Sequence, residues 1–98
     1  MTDSIKTSID SKKRLWIDYP PGRRLIEPHV LGFSRASSKL LRAFQVEGAS
    51  SSGEHENWKL FTVDKVQGIE DSGQTFNGPR PGYNPDDSAM KGGIISRL

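Results

Sequence analysis

Five basic side chains lie in or just after segments that alternate like strands and could share one side of a sheet: Arg23, Arg24, Arg42, Lys59 and Lys65. Cations converging from several strands suit a phosphate group or a nucleic-acid backbone, and a neighbouring aromatic ring can stack on a base. Trp58 and Phe44 are the rings placed for that role. Arg23 and Arg24 are consecutive, so in a strand they point to opposite faces and only one can join a given patch. Arg42 interrupts an apolar run, and a guanidinium buried there must meet a carboxylate or a ligand. Arg24 and Arg42 are therefore the leading ligand-binding candidates, with Arg23, Lys59 and Lys65 in support. The competing arrangement puts Trp58 and Phe44 in the core, pairs Arg42 with Glu27, and leaves the lysines as solvated surface.

Other chemistry is poorly served. Without cysteine there is no disulfide, no thiol chemistry and no Cys-based zinc site. His29 and His55 are the two histidines; Glu54 and Glu56 flank the second, but no defined metal-ligand set results. No paired carboxylates or catalytic triad stand out, so the expectation is a non-enzymatic binding protein that needs no cofactor. The Gly32–Ser38 stretch has glycine and hydroxyls but lacks the lysine and the strand–loop–helix setting of a phosphate loop, and reads as a surface turn.

The chain has 98 residues, of which 33% are hydrophobic, enough for one small core and too few for a deep, rigidly supported cleft. Residues 1 to 49 carry nine Lys/Arg against five Asp/Glu, whereas residues 50 to 98 carry five against seven. The basic half could face an anionic partner. The first ten residues lack the apolar run of a secretory signal and no stretch is long and apolar enough for a membrane helix, so no membrane association and a cytoplasmic location are expected.

Ile5 and Ile9, four residues apart, predict a helix of about two turns within residues 1–13, capped by Asp3 or Ser4 and lying loosely on the body. From Arg14 the period becomes two. Leu15–Tyr19 predicts a strand that Pro20-Pro21-Gly22 turns into a hairpin with Arg23–Glu27, where Pro28 ends regular pairing or marks a sheet edge. An extended segment resumes at His29–Gly32. Lys39–Glu47 is the clearest strand, Gly48–Asn57 a mobile loop, and Asn57–Val63 the next strand. Asp64–Gly68 reads as a tight or 3₁₀ turn before a short strand at Ile69-Glu70. Five short strands with short links predict an all-β barrel or roll over residues 14–73. Residues 74–98 form a proline- and glycine-rich extension: an ordered strap anchored by Phe76 and Tyr83, the alternative being a disordered tail, with an apolar end, Gly92–Leu98, suited to pairing with an edge of its own sheet or of a second copy.

Three motifs in series carry a resemblance over about half the chain: Glu27-Pro28, then Leu40-Leu41-Arg42-Ala43-Phe44, then Lys59–Val66. Their order and spacing resemble the WYL domain, a small SH3-like barrel of bacterial transcription regulators and defence-associated proteins. The tryptophan and tyrosine of that family's name are here Lys39 and Leu40, and its closing-run arginines are Lys59 and Lys65, point charges without a guanidinium's fork. The resemblance implies a small SH3-like barrel, and a ligand-sensing or nucleic-acid-binding role with an anionic ligand. The customary helix-turn-helix partner has no counterpart in the sequence. A protein-interaction subunit, or a homodimer, using the extension or an edge strand is the alternative.

Overall fold

The computed structural model describes all 98 residues. A short helix, α1 (Thr2–Asp10), precedes six strands: β1 (Lys13–Tyr19), β2 (Gly22–Phe33), β3 (Lys39–Gly48), β4 (Asn57–Thr62), β5 (Gly68–Thr75) and β6 (Gly93–Arg97). A single 3₁₀ turn, Val63–Lys65, links β4 to β5. All pairings are antiparallel in one sheet ordered β4-β3-β2-β1-β5, with β6 joining the far end of β2.

Alternation decides which side is buried. Leu15 and Ile17 of β1, Leu41 and Ala43 of β3, and Phe61 of β4 point inward with Ile26 and Leu31 of β2. Val63 of the 3₁₀ turn and Val66 just after it close the cluster at one end. Helix α1 belongs to this core rather than resting loosely on it: Ile5 and Ile9 are 0% and 1% exposed. It begins earlier than a cap at Asp3 or Ser4 requires, with Met1 at the N-cap and the Asp3 carboxylate in the first turn, near the helix's positive end.

Two strand boundaries differ from the sequence reading, each for a physical reason. β2 runs through Pro28 without ending. Pro28 lies after the β1 pairing has stopped at Ile26 and before the β6 pairing starts at Val30, beside an irregularity in the β3 register. That is a place where a missing N–H breaks no ladder. β5 continues past Asp71 to Thr75, because a register shift between Lys13 and Leu15 accommodates Gly73 at φ +76°. It is a polar edge, and Ser72 Oγ–H donates to Arg14 O at 2.6 Å. The apolar end of the chain pairs within its own sheet, as β6 on β2.

Gly48 closes β3 with φ +113°, and a Cβ there would lie 2.4 Å from Arg23 O and 2.7 Å from Arg24 Cα. Gly48→Ala is accordingly expected to destabilise the protein by more than about 1 kcal/mol in urea denaturation, combining a disfavoured φ with a backbone clash. A change of a few tenths would mean that the strand end relaxes freely.

Candidate functional site

On the opposite side of β2, β3 and β4 from the core lies a second cluster, built around His29. Its ring is edge-on to Trp58 at 4.7 Å between centroids, stacked with Phe76 at 5.6 Å and tilted against Tyr83 at 5.5 Å. Phe44 meets Trp58 edge-on at 5.6 Å, and the Arg80 guanidinium lies 4.4 Å over the Phe44 ring. Residues between Phe76 and Gly92 cross this face without regular structure. Trp58 Nε1–H donates to Pro81 O at 3.0 Å, Tyr83 O–H donates to Leu98 O at 2.7 Å, and Gly92 N–H donates to Phe33 O at 2.9 Å.

Glu27 ties that segment to the sheet. Its carboxylate, 1% exposed, accepts Arg80 Nε at 2.7 Å and Nη2 at 3.1 Å, together with Arg14 Nε at 2.8 Å. Burial pushes the Glu27 carboxyl up, but the hydrogen bonds and charges of Arg80 and Arg14 outweigh it and hold its pKa below the ordinary glutamate value.

The basic candidates separate. Arg42 does not reach Glu27. It makes a two-pronged pair with Asp87, at 2.7 Å and 3.3 Å, on the outer face. Arg23 lies 4.9 Å over the exposed side of Trp16, within 3.5 Å of Glu70 and 4.0 Å of Asp18. Lys65 is exposed on the 3₁₀ turn. Trp58 and Phe44 belong to the His29 cluster, where Trp58 is already bonded to Pro81. No single face gathers all seven residues.

Two of them do converge. In the register Arg24 faces Ile17 on one side and side-chain-free Gly48 on the other, so its guanidinium turns toward the end of the core. Only 4% of Arg24 is exposed. Its Nε–H donates to Tyr19 O at 3.2 Å, Nη2–H to Pro20 O at 2.6 Å and Nη1–H to Gln45 Oε1 at 3.2 Å. The guanidinium carbon lies 5.2 Å from the Tyr19 ring and 5.3 Å from the Phe61 ring. Lys59 Nζ–H donates to Ser50 Oγ at 3.0 Å and to Ser52 Oγ at 3.1 Å. Arg24, Lys59, Ser50, Ser51 and Ser52 line one cavity of about 230 Å³, completed by Tyr19, Pro20, Leu60 and Phe61.

That lining contains no carboxylate, and neither cation enters an ion pair of the fold. Burial pushes the Arg24 pKa down, with the Tyr19 hydroxyl acting the other way. Carbonyl and amide oxygens satisfy its hydrogen-bond donors while leaving its charge uncompensated, which is costly in a desolvated site. The serines were not singled out in the sequence because they sit in a segment read as a loop. Gln45 Nε2–H donates to Ala49 O and His55 O, and His55 Nδ1 lies 2.7 Å from Gly48 O, so both ends of that segment are tied to β3.

Comparison with family models, curated proteins and solved structures finds no match for this chain. No grouping of His, Asp and Glu is placed to hold a metal ion, and no helix is long and apolar enough to cross a membrane.

Proposed function

We propose that this chain is a non-enzymatic binding module of the WYL-like, SH3-like barrel class, with residues 74–98 as its strap. It recognises a phosphate-bearing anion, a nucleotide being the first choice, at the mouth formed by Arg24, Lys59 and the Ser50–Ser52 segment. The barrel assignment is supported by the β1–β4 meander, the 3₁₀ turn after β4 and the return of β5 to pair with β1. Thr62 N–H of the edge strand β4 donates to the Tyr19 hydroxyl of β1 at 3.2 Å, so the sheet curls far enough to bring β4 toward β1.

One observation carries the ligand class: two cations without a carboxylate partner, one of them almost wholly buried, face the same serine-lined cavity. A phosphate there supplies the missing negative charge beside Arg24 and accepts from Lys59 and the serine hydroxyls. The cavity, of about 230 Å³, is ample for a phosphate group and leaves room for part of the moiety that carries it. A long nucleic-acid strand is less well served, since Arg23 and Arg42 already face acidic side chains. The protein-interaction alternative relies on β6 and the extension, both engaged in contacts within this chain.

Thermal melting and calorimetric titration with inorganic phosphate and a nucleoside monophosphate test the proposal. Phosphate at about 100 times its dissociation constant raises stability by roughly 2.7 kcal/mol. Lys59→Ala, at a half-exposed position outside the core, should weaken binding by about tenfold to a hundredfold, the worth of one charge-assisted hydrogen bond. The affinity should fall with added salt. Equal affinity in Lys59→Ala and the parent would remove the mouth as the site. Labelled single-stranded DNA binding more tightly than the mononucleotide, with a steep salt dependence, would shift the reading to a nucleic-acid strand.

A further inference from the structure

His29 is fully buried, and its two ring nitrogens face groups of opposite character. Nδ1 lies 2.7 Å from Glu27 O, which can only accept, and Nε2 lies 3.1 Å from Arg80 N, which can only donate. The pair of contacts therefore fixes a neutral ring with its proton on Nδ1 and its lone pair on Nε2. The Arg80 amide opens a turn closed by Tyr83 N–H donating to Arg80 O at 3.1 Å, and the same turn carries the carbonyl of Pro81 that caps Trp58.

A proton taken from solvent by Nε2 replaces the lone pair with a second N–H. Two donors then face each other across 3.1 Å, and the bond to Arg80 is lost. We propose that His29 is a proton-operated latch: neutral, it holds the Arg80–Tyr83 turn against the sheet, and protonated at Nε2 it releases the turn and uncovers Trp58.

The charged and titratable surroundings fit such a device. From its own strand His29 faces Glu27, whose carbonyl bond and charge favour the proton; from the extension it faces Arg80, whose charge opposes it, and Tyr83. Arg14 on β1 reaches it through Glu27, and Arg42 on β3 and Asp87 line the neighbouring cavity with Trp58 and Tyr83. No charged side chain of β4 meets the ring, which that strand contacts through Trp58. Burial is the largest influence, and the His29 pKa lies below the ordinary histidine value. The released ring regains that ordinary value. Closure is thus fully favoured above the ordinary histidine range, and is progressively lost as pH falls from there toward the depressed value. Glu27 and Asp87 keep their own pKa values below the ordinary carboxylate range, so the ion pairs to Arg80 and Arg42 persist while the turn opens.

Amide and indole hydrogen exchange followed by NMR between pH 7.5 and 5 tests the latch on the intact chain. Relative to intrinsic rates, the Arg80 amide and the Trp58 indole N–H should exchange roughly tenfold faster at the acid end, a coupling of ordinary size between a bound ligand and a conformational change. Amides of β1 to β3 should stay protected. His29→Gln, which offers an uncharged acceptor, should stay closed throughout, and His55→Gln should respond like the parent. Opening in His29→Gln at the same pH, loss of all protection together, or no change at Arg80 would each overturn the proposal. Should His29→Gln fail to fold, the parent alone decides: the His29 Nε2 and Arg80 amide shifts must titrate with one midpoint, and separate midpoints refute the latch.

Discussion

Glu27→Ala is expected to destabilise the protein by about 3 kcal/mol, the low end of what breaking a buried ion pair costs. The low end applies because Arg14 and Arg80 keep side-chain exposures of 24% and 34% and can rehydrate when the carboxylate is gone. The loss is still large, since a domain of this size has about 5–15 kcal/mol in total. At about 4–8 °C per kcal/mol it corresponds to a melting point lower by roughly 12–24 °C. Two further changes identify the cause. Glu27→Gln keeps the shape and one accepting oxygen but not the charge, so its loss should be smaller. The Glu27 pKa is depressed in the folded state, so its contribution is complete above the ordinary glutamate range. That contribution is lost as pH falls through the depressed value, and this part of the acid sensitivity should vanish in Glu27→Gln. Denaturant midpoints for Glu27→Ala within about 0.5 kcal/mol of the parent would mean that water replaces the carboxylate at no cost, the level typical of an unimportant surface change.

The residues of this hub show where sequence reading succeeds and where it stops. The strands around Ile17, Leu41 and Phe61 were legible from their alternation, but the period alone does not say which face turns inward: Phe61 is buried in the core while its neighbour Leu60 is 41% exposed. Pro28 misled because its tolerance depends on which strands flank it, a property of the assembled sheet. Glu27 stands 53 residues from Arg80, and no local pattern records a partner so distant. Arg24 and Arg42 stood together as the leading candidates in the sequence. Their fates diverged because the neighbour of Arg24 in the register is Gly48, which leaves room inward, while Arg42 faces outward toward Asp87. Lys59 earned its place from the resemblance and the serines did not, since a polar loop advertises no direction for its hydroxyls.

Phe61→Ala is the other substitution expected to have a large effect, about 3–5 kcal/mol. Phe61 is 1% exposed, among the largest fully buried side chains, and meets Tyr19 edge-to-face at 4.8 Å. Its ring also borders the mouth, with the Arg24 guanidinium 5.3 Å above it. Truncation therefore opens a void in the core and removes a surface on which the buried cation rests. Phe61→Leu separates the two consequences. Leucine refills most of the space, so the stability loss should be nearer 1 kcal/mol, as for other near-isosteric core exchanges. The aromatic face is nevertheless gone, and with it a cation–π contact of about 0.5–2 kcal/mol. If that ring aims Arg24 at an anion, phosphate affinity should fall in Phe61→Leu while the domain still melts cooperatively, at a higher temperature than Phe61→Ala. Unchanged affinity in Phe61→Leu would show that the Tyr19 and Pro20 carbonyls alone orient the guanidinium. A Phe61→Ala protein as stable as the parent would be harder to absorb, because it would mean that the core is not organised around β4 at all.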